Sequence, residues 1–220
     1  MIPNLMRKVE STSLKGRTTY AFPESLISEQ YRTIRTNIQF VNGVKKNQSI
    51  LVTSPGNGEG KTTTASNLAI SLAQQKEKVL LIDTNLKKPS LHSIFNFENN
   101  TGLTDVLSGK LTLEEAAVTT EVARLEVLPS GEIPGNFSDL IGSIAMYDLV
   151  ENALKKYSVV VIDSPSFLEL SATKILASMC DGVVLVVKSG KTDIKKAMET
   201  KRLLDLAKAN VIGVVLNKLK

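Results

Sequence analysis

The segment Ser54-Pro55-Gly56-Asn57-Gly58-Glu59-Gly60-Lys61-Thr62-Thr63 stands between a short apolar run, Ser49 to Thr53, and a helical pattern from about Thr62 to Gln75. Its three glycines let the backbone turn sharply and aim successive N–H groups at one anion. The helix that follows adds the positive end of its dipole. Lys61 can reach the β- and γ-phosphates of a nucleotide, and the Thr62 hydroxyl can ligate magnesium. This strand–loop–helix setting predicts a P-loop that holds ATP and Mg2+ with Gly56, Asn57, Gly58, Glu59, Gly60, Lys61, Thr62 and Thr63. The pattern departs from G-x-x-x-x-G-K-S/T once, with Pro55 at the first glycine position and Gly56 beside it.

The rest of the chain supplies a matching scaffold. Val79 to Ile82, Leu125 to Leu128, Val159 to Ile162, Val183 to Val187 and Val211 to Leu216 are further short apolar runs. They are continuously apolar rather than alternating, as strands buried on both faces of a parallel sheet are. Helical patterns over about Ser138–Lys156, Ser171–Met179 and Thr192–Ala209 separate the later ones. The alternation predicts an α/β fold: a doubly wound, mostly parallel sheet with helices on both faces. Ahead of it, residues 1–24 read as an N-terminal arm, and residues 25–220 as one P-loop domain. That domain opens on a helix over 25–43, with Ile27, Tyr31, Ile34, Ile38 and Val41 as its apolar stripe.

Composition narrows the chemistry. With 42% hydrophobic and 22% charged residues, 220 residues bury a full core. The net charge of +5 suits phosphate ligands or an anionic membrane surface, and equally an ordinary solvated surface. One cysteine, Cys180, excludes an intramolecular disulfide and a multi-cysteine zinc site; beside Met179 it reads as a buried thiol. A single histidine, His92, argues against histidine metal clusters and hydrolase triads. No apolar run approaches the ~18 residues of a membrane span, and the N-terminus has no signal-peptide core. The expected location is cytoplasmic, with any membrane association supplied by a partner or by surface charge.

Two strands end in carboxylates, Leu80-Leu81-Ile82-Asp83 and Val160-Val161-Ile162-Asp163. In open α/β sheets ligands bind beyond the carboxyl ends of the strands, where both acids fall. Asp163 has the context of a metal-supporting acid, and Asp83 could orient or deprotonate an attacking hydroxyl. Either could instead cap the segment that follows. On the first helix, Glu29, Arg32 and Arg35 fall on one side, away from the apolar stripe. Such a strip could join subunits or stay solvated with one Glu29–Arg32 pair.

Several segments together resemble the bacterial tyrosine kinases that control capsule and exopolysaccharide synthesis. They are Glu29-Gln30-Tyr31-Arg32-Thr33-Ile34-Arg35, the phosphate loop, Leu81 through Pro89, and Ile162-Asp163-Ser164-Pro165. Asn100-Thr101-Gly102-Leu103-Thr104 and Leu128-Pro129-Ser130-Gly131 also look like that family. The resemblance implies an ATP-dependent, autophosphorylating, non-specific protein-tyrosine kinase. Lys61 and Thr62 would hold phosphates and metal, Asp83 would be the base, and Asp83 and Asp163 would support the metal. Asn217 would lie near the adenine, and Glu29, Arg32 and Arg35 would join subunits into a ring. The implied partner is a separate membrane-bound chain-length regulator that activates the kinase at the inner face of the cell membrane. Protein tyrosines are the implied substrates and nucleic acid is not.

The match departs from the family at several places. Asn85 replaces a usual second aspartate, Lys87-Lys88 follow where an arginine is usual, Ser166 replaces a proline, and Gly135 and Phe137 interrupt a proline-rich turn. The sequence reaches Lys220 without the tyrosine cluster members commonly carry; its tyrosines are Tyr20, Tyr31, Tyr147 and Tyr157. Tyr31 and Tyr157 are expected to be packed. Two alternatives follow: an ATP-binding assembly subunit with weakened chemistry, or an ATPase switch of the Min/Par type. The second carries an extra lysine where this chain has Gly56.

Overall fold

The computed structural model describes residues 16–42, 47–133 and 137–218. Its strands are β1 (Gln48–Thr53), β2 (Val79–Asp83), β3 (Val118–Thr119), β4 (Leu125–Leu128), β5 (Val159–Asp163), β6 (Gly182–Lys188) and β7 (Val211–Asn217). They form one sheet in the order β3-β4-β2-β5-β1-β6-β7. Every neighbouring pair is parallel except β3 with β4. The doubly wound parallel sheet is therefore as expected. β3 is new, since two residues are too short to show a period.

The helices are α1 (Thr18–Ala21), α2 (Leu26–Asn42), α3 (Lys61–Ala73), α4 (Leu91–Phe95), α5 (Leu103–Leu107), α6 (Leu113–Ala116), α7 (Phe137–Ile141), α8 (Ile144–Lys156), α9 (Ser171–Met179) and α10 (Ile194–Leu206). The short helices α4, α5 and α6 occupy a stretch the sequence pattern leaves blank. The helix expected over Ser138–Lys156 is two helices, because Gly142 and Ser143 interrupt it and the Ser143 hydroxyl donates to Leu140 O at 2.7 Å. α10 starts two residues later than expected: Asp193 is its N-cap and accepts from the Lys195 N–H.

Alternation within the strands separates two cores. Leu51, Leu80, Ile82, Val160 and Ile162 face the core made with α5 to α10. Ile50, Val52, Val79, Leu81, Val159 and Val161 face the core made with α2, α3 and α4. Both faces of the central strands are apolar because both are covered by helices. The segments around Gly102 and Ser130 meet beside β4, where Leu103 N–H donates to Pro129 O at 2.7 Å and Thr104 N–H to Ser130 O at 3.1 Å. A Cβ on Gly102 would stand 2.2 Å from Pro129 O, so only glycine fits this crossing.

α3 is buried along nearly its whole length, with the sheet on one side and α1 and α2 on the other. Polar residues along its middle, Asn67 and Ser71, face those two helices. Asn67 Oδ1 accepts the Thr19 N–H at 2.8 Å, and Asn67 Nδ2 donates to Gly16 O at 3.0 Å. Residues 16–24, part of the segment read as an arm, thus include a helical turn docked on α3; the other fifteen lie outside the described residues. Arg35 corrects an expectation. Rather than facing outward with Glu29 and Arg32, it is buried, and its Nη1 donates to Ser71 O at 2.6 Å and Ser71 Oγ at 3.1 Å. A guanidinium has reach enough to leave a polar strip and cap a neighbouring helix carbonyl. Glu29 and Arg32 do stay at the surface, paired at 2.8 Å.

Asn67→Ala leaves the buried Thr19 N–H without its acceptor. It is expected to destabilise the protein by roughly 1–3 kcal/mol. In urea titration the midpoint falls, and limited proteolysis cuts earlier near residue 20.

Candidate functional site

The loop between β1 and α3 crosses the carboxyl ends of the central strands. Gly58 and Gly60 have φ of 70° and 102°, a left-handed conformation that side chains resist. Gly60 also lies under Asn217, whose Nδ2 would be 2.0 Å from an added Cβ. Among the described residues, the N–H groups of Asn57, Gly58, Glu59 and Gly60 meet no acceptor, leaving a row of donors. Lys61 and Thr62 begin α3, and Lys61 is buried. The arrangement is an anion cradle at a helix N-terminus.

The side chains of the variable loop positions turn to neighbouring loops. Glu59 is buried; its Oε2 accepts the Gly56 N–H at 3.0 Å and its Oε1 the Thr192 hydroxyl at 2.7 Å. Asn217 Nδ2 donates to Glu59 O at 2.8 Å. Asn57 Nδ2 donates to Glu169, and the single proton of Ser166 Oγ is shared between Glu169 Oε2 at 2.6 Å and Asn57 Oδ1 at 3.1 Å. Ser166, one of the departures from the expected pattern, therefore links the β5–α9 loop to the phosphate loop. Asn57 and Glu59 belong to the site through their backbone, with their side chains spent on bracing.

Asp83 and Asp163 are opposite each other in the register of β2 and β5, and both are fully buried. Their surroundings differ. Asp83 Oδ1 accepts the Asn85 N–H at 3.0 Å; Oδ2 accepts those of Ser90 at 3.0 Å and Leu91 at 3.1 Å. The first turn of α4 thus caps onto Asp83. Neither oxygen of Asp163 has a hydrogen-bond partner among the described residues. The Thr62 hydroxyl is near enough to lower its pKa without being aligned to donate.

These surroundings divide one proton. Burial first, then the charge of Asp83, pushes the Asp163 carboxyl up to about 8, against the pull of Thr62 and Lys61. Burial also raises Asp83, but the N–H groups of Leu91, Ser90 and Asn85, and then His92, draw it back. Both carboxyls are thus raised, and Asp163, which lacks the three N–H partners of Asp83, is the better seat for a proton. A buried carboxylate with both oxygens unsatisfied, beside a threonine hydroxyl, is a donor set that fits a hard divalent cation.

Three residues at this end of the sheet escaped the sequence analysis. Lys191 Nζ donates to Asn57 O at 3.0 Å and Gly58 O at 3.4 Å, Lys188 Nζ to Gly58 O at 3.4 Å, and Glu169 closes the bracing network. The signal was present: Lys188-Ser189-Gly190-Lys191 follows an apolar strand on its ligand-facing end. Outside the site, Cys180 is buried, and burial pushes its thiol up to about 12. Tyr157 is buried with its hydroxyl on Glu126, and Tyr31 is half-buried, while Tyr20 and Tyr147 are exposed.

Residues 47–207 match the family model described as an AAA domain, which fixes the class as a P-loop nucleotide-binding domain. The tyrosine-protein kinase YwqD of Bacillus subtilis strain 168 is 45% identical over 195 residues, covering 89% of this chain and 82% of that protein. In structure, the chimerical protein CapA2B2 superposes with a TM-score of 0.88 at 37% identity over 93% of this chain and 90% of the other. The kinase domain of the Escherichia coli tyrosine kinase ETK gives 0.87 at 28% identity, over 91% and 79%. The chain belongs to the bacterial P-loop tyrosine-protein kinases of capsular and exopolysaccharide biosynthesis.

The shared proton has a consequence for stability. The folded protein keeps it on Asp163 up to about pH 8, whereas an unfolded aspartate releases it near ~4. In that window the folded state binds more protons, so stability falls as pH rises. Without nucleotide or metal, the thermal midpoint is expected to decline from pH 5 to pH 8. Asp163→Asn is expected to flatten the decline and to be more stable than the parent at pH 8.

Proposed function

We propose that this protein transfers the γ-phosphoryl group of ATP to tyrosine hydroxyls of proteins, its own copies included. The observation that carries the proposal is the division of labour between two register-paired carboxylates beside the phosphate loop. Asp83 accepts three N–H groups, which favour its charged form against burial, and its Oδ1 accepts only one of them. A carboxylate has about four acceptor positions. Asp83 therefore keeps capacity to take the proton of an incoming tyrosine hydroxyl. Lys61 and the free loop N–H groups hold and neutralise the β- and γ-phosphates. Thr62 and Asp163 would hold Mg2+, with Asp83 in support, and the ion would neutralise charge on the phosphate oxygens when bound. Asn217 ties the loop through Glu59 O and would lie near the adenine.

Asn85 stands half-buried after Asp83 and brings no charge, which slows transfer without abolishing it. The Min/Par reading lacks its lysine: Gly56 is at that position, and its N–H is tied to Glu59. Among the described residues no helix is long and apolar enough to cross a membrane. A membrane-bound chain-length regulator would bring the kinase to the inner face of the membrane and activate it through a cytoplasmic tail. The outer face of α2, with Glu29, Arg32 and exposed Leu26, would join copies into a ring, and Arg35 would stiffen that helix from within.

Incubation with Mg-ATP and the regulator's tail is expected to yield phosphotyrosine by mass spectrometry. Lys61→Met abolishes it. Asp83→Asn lowers turnover by about 10²-fold or more while nucleotide affinity changes far less. Nucleotide-dependent assembly without phosphotransfer would leave the weakened assembly subunit. Steady ATP hydrolysis stimulated by lipid or DNA, with no phosphotyrosine, would favour the partition switch.

A further inference from the structure

Three lysines gather behind the phosphate loop. Lys188 ends β6, opposite Asn217 in the register with β7, and Lys191 is three residues further along the following turn. Lys188 and Lys191 both direct their ammonium groups to the Gly58 carbonyl, and Lys191 also reaches the Asn57 carbonyl. Lys218 is near enough, with Lys191, to depress the Lys188 pKa, after partial desolvation and against the pull of Glu59. Among the described residues, neither Lys188 nor Lys191 forms an ion pair. The nearby Glu59 carboxylate is already occupied by Gly56 N–H and Thr192 Oγ1. Like charges have thus been brought together at one carbonyl, with the Glu59 charge nearby but in an ion pair with neither lysine.

The peptide geometry says what such a cluster does. In a trans peptide the N–H points away from the C=O. Holding the Asn57 and Gly58 carbonyls toward the lysines turns the Gly58 and Glu59 N–H groups to the opposite side of the loop. Those are two of the donors that meet no acceptor in the protein. A cation on a carbonyl also polarises its peptide and strengthens the donor at the other end, as in cooperative hydrogen-bond chains. Beyond that, two unpaired charges at the rim raise the local potential for a polyanion.

We propose that Lys188 and Lys191 are positioning residues of the nucleotide site, a cationic backing that makes the phosphate loop select for the number of phosphates its ligand carries. The ligand class is the adenosine polyphosphates, and the lysines act through the Asn57–Gly58 and Gly58–Glu59 peptides and through their field. Adenosine gains nothing from them, ADP gains, and ATP gains most. The inference rests on reading the loop as the triphosphate site.

The test is equilibrium binding of adenosine, ADP and ATP to the full chain by calorimetry, at low and moderate salt, for the parent, Lys188→Ala, Lys191→Ala and the double variant. Each single substitution is expected to weaken ATP by about fivefold, the size of a solvent-exposed charge interaction. ADP weakens less and adenosine stays unchanged, so the ATP-to-ADP preference shrinks. The double variant also shows a shallower salt dependence of ATP affinity. Lys191→Arg keeps the preference, whereas Lys191→Gln, which can still donate to the carbonyls, loses it. Equal weakening of all three ligands, or full retention by Lys191→Gln, overturns the inference, because either outcome means the lysines only hold the loop in shape. If the parent itself binds neither ADP nor ATP, the reading of the site falls first. If the parent binds both and the variants keep its preference, this inference alone is wrong.

Discussion

Burying two carboxylates at register-paired positions of adjacent parallel strands costs desolvation for both and repulsion between them. Asp83 and Asp163 are so placed, and much of the surrounding architecture offsets that cost. The chain after β2 turns so that the first N–H groups of α4 close on Asp83. The P-loop places Lys61 and Thr62 where both draw down the pKa of Asp163. The remaining imbalance is carried by a proton. A divalent cation bound beside the two acids would displace that proton and relieve the repulsion between them.

The phosphate loop solves a related problem. Its N–H groups must stay unpaired and yet keep one conformation. Hydrogen bonds from outside supply the order: Glu59 and Thr192 on one flank, Asn57, Ser166 and Glu169 on the other, Asn217 above, and the two lysines behind. Little reorganisation is then left for the moment of binding, which is what makes such donors effective toward a highly charged group. A glutamate inside an anion-binding loop looks misplaced until its carboxylate is seen to face a backbone N–H and a threonine hydroxyl rather than the cradle.

What the sequence could reveal follows from the range of the interactions. Strands buried on both faces announce themselves as apolar runs, and the loop glycines carry their own conformational signature, so the fold and the cradle were legible. Asp83 and Asp163 were legible from strand ends alone. Arg35 was not: helical periodicity places its Cα correctly, but its long side chain answers to Ser71 of another helix, 36 residues away. Lys188, Lys191 and Glu169 are more than a hundred residues from the loop they touch. No local pattern encodes such contacts. The break at Gly142 and Ser143 is local, yet an apolar stripe continuing on both sides conceals it.

The helix at the front of the domain gains significance from where it rests. α2 lies on α3, the same helix whose N-terminus closes the phosphate cradle, and Arg35 and Ile38 anchor it there. α3 is packed on every side, so it transmits displacement instead of absorbing it. A contact between copies on the outer face of α2 is therefore one rigid element away from Lys61 and Thr62. Were copies to join there, assembly and phosphate binding would act on a single packed unit, and each would favour the arrangement that suits the other. That coupling needs no lysine reaching across from a second subunit. It is a physical route by which a chain with Gly56 would let its nucleotide site respond to a second copy.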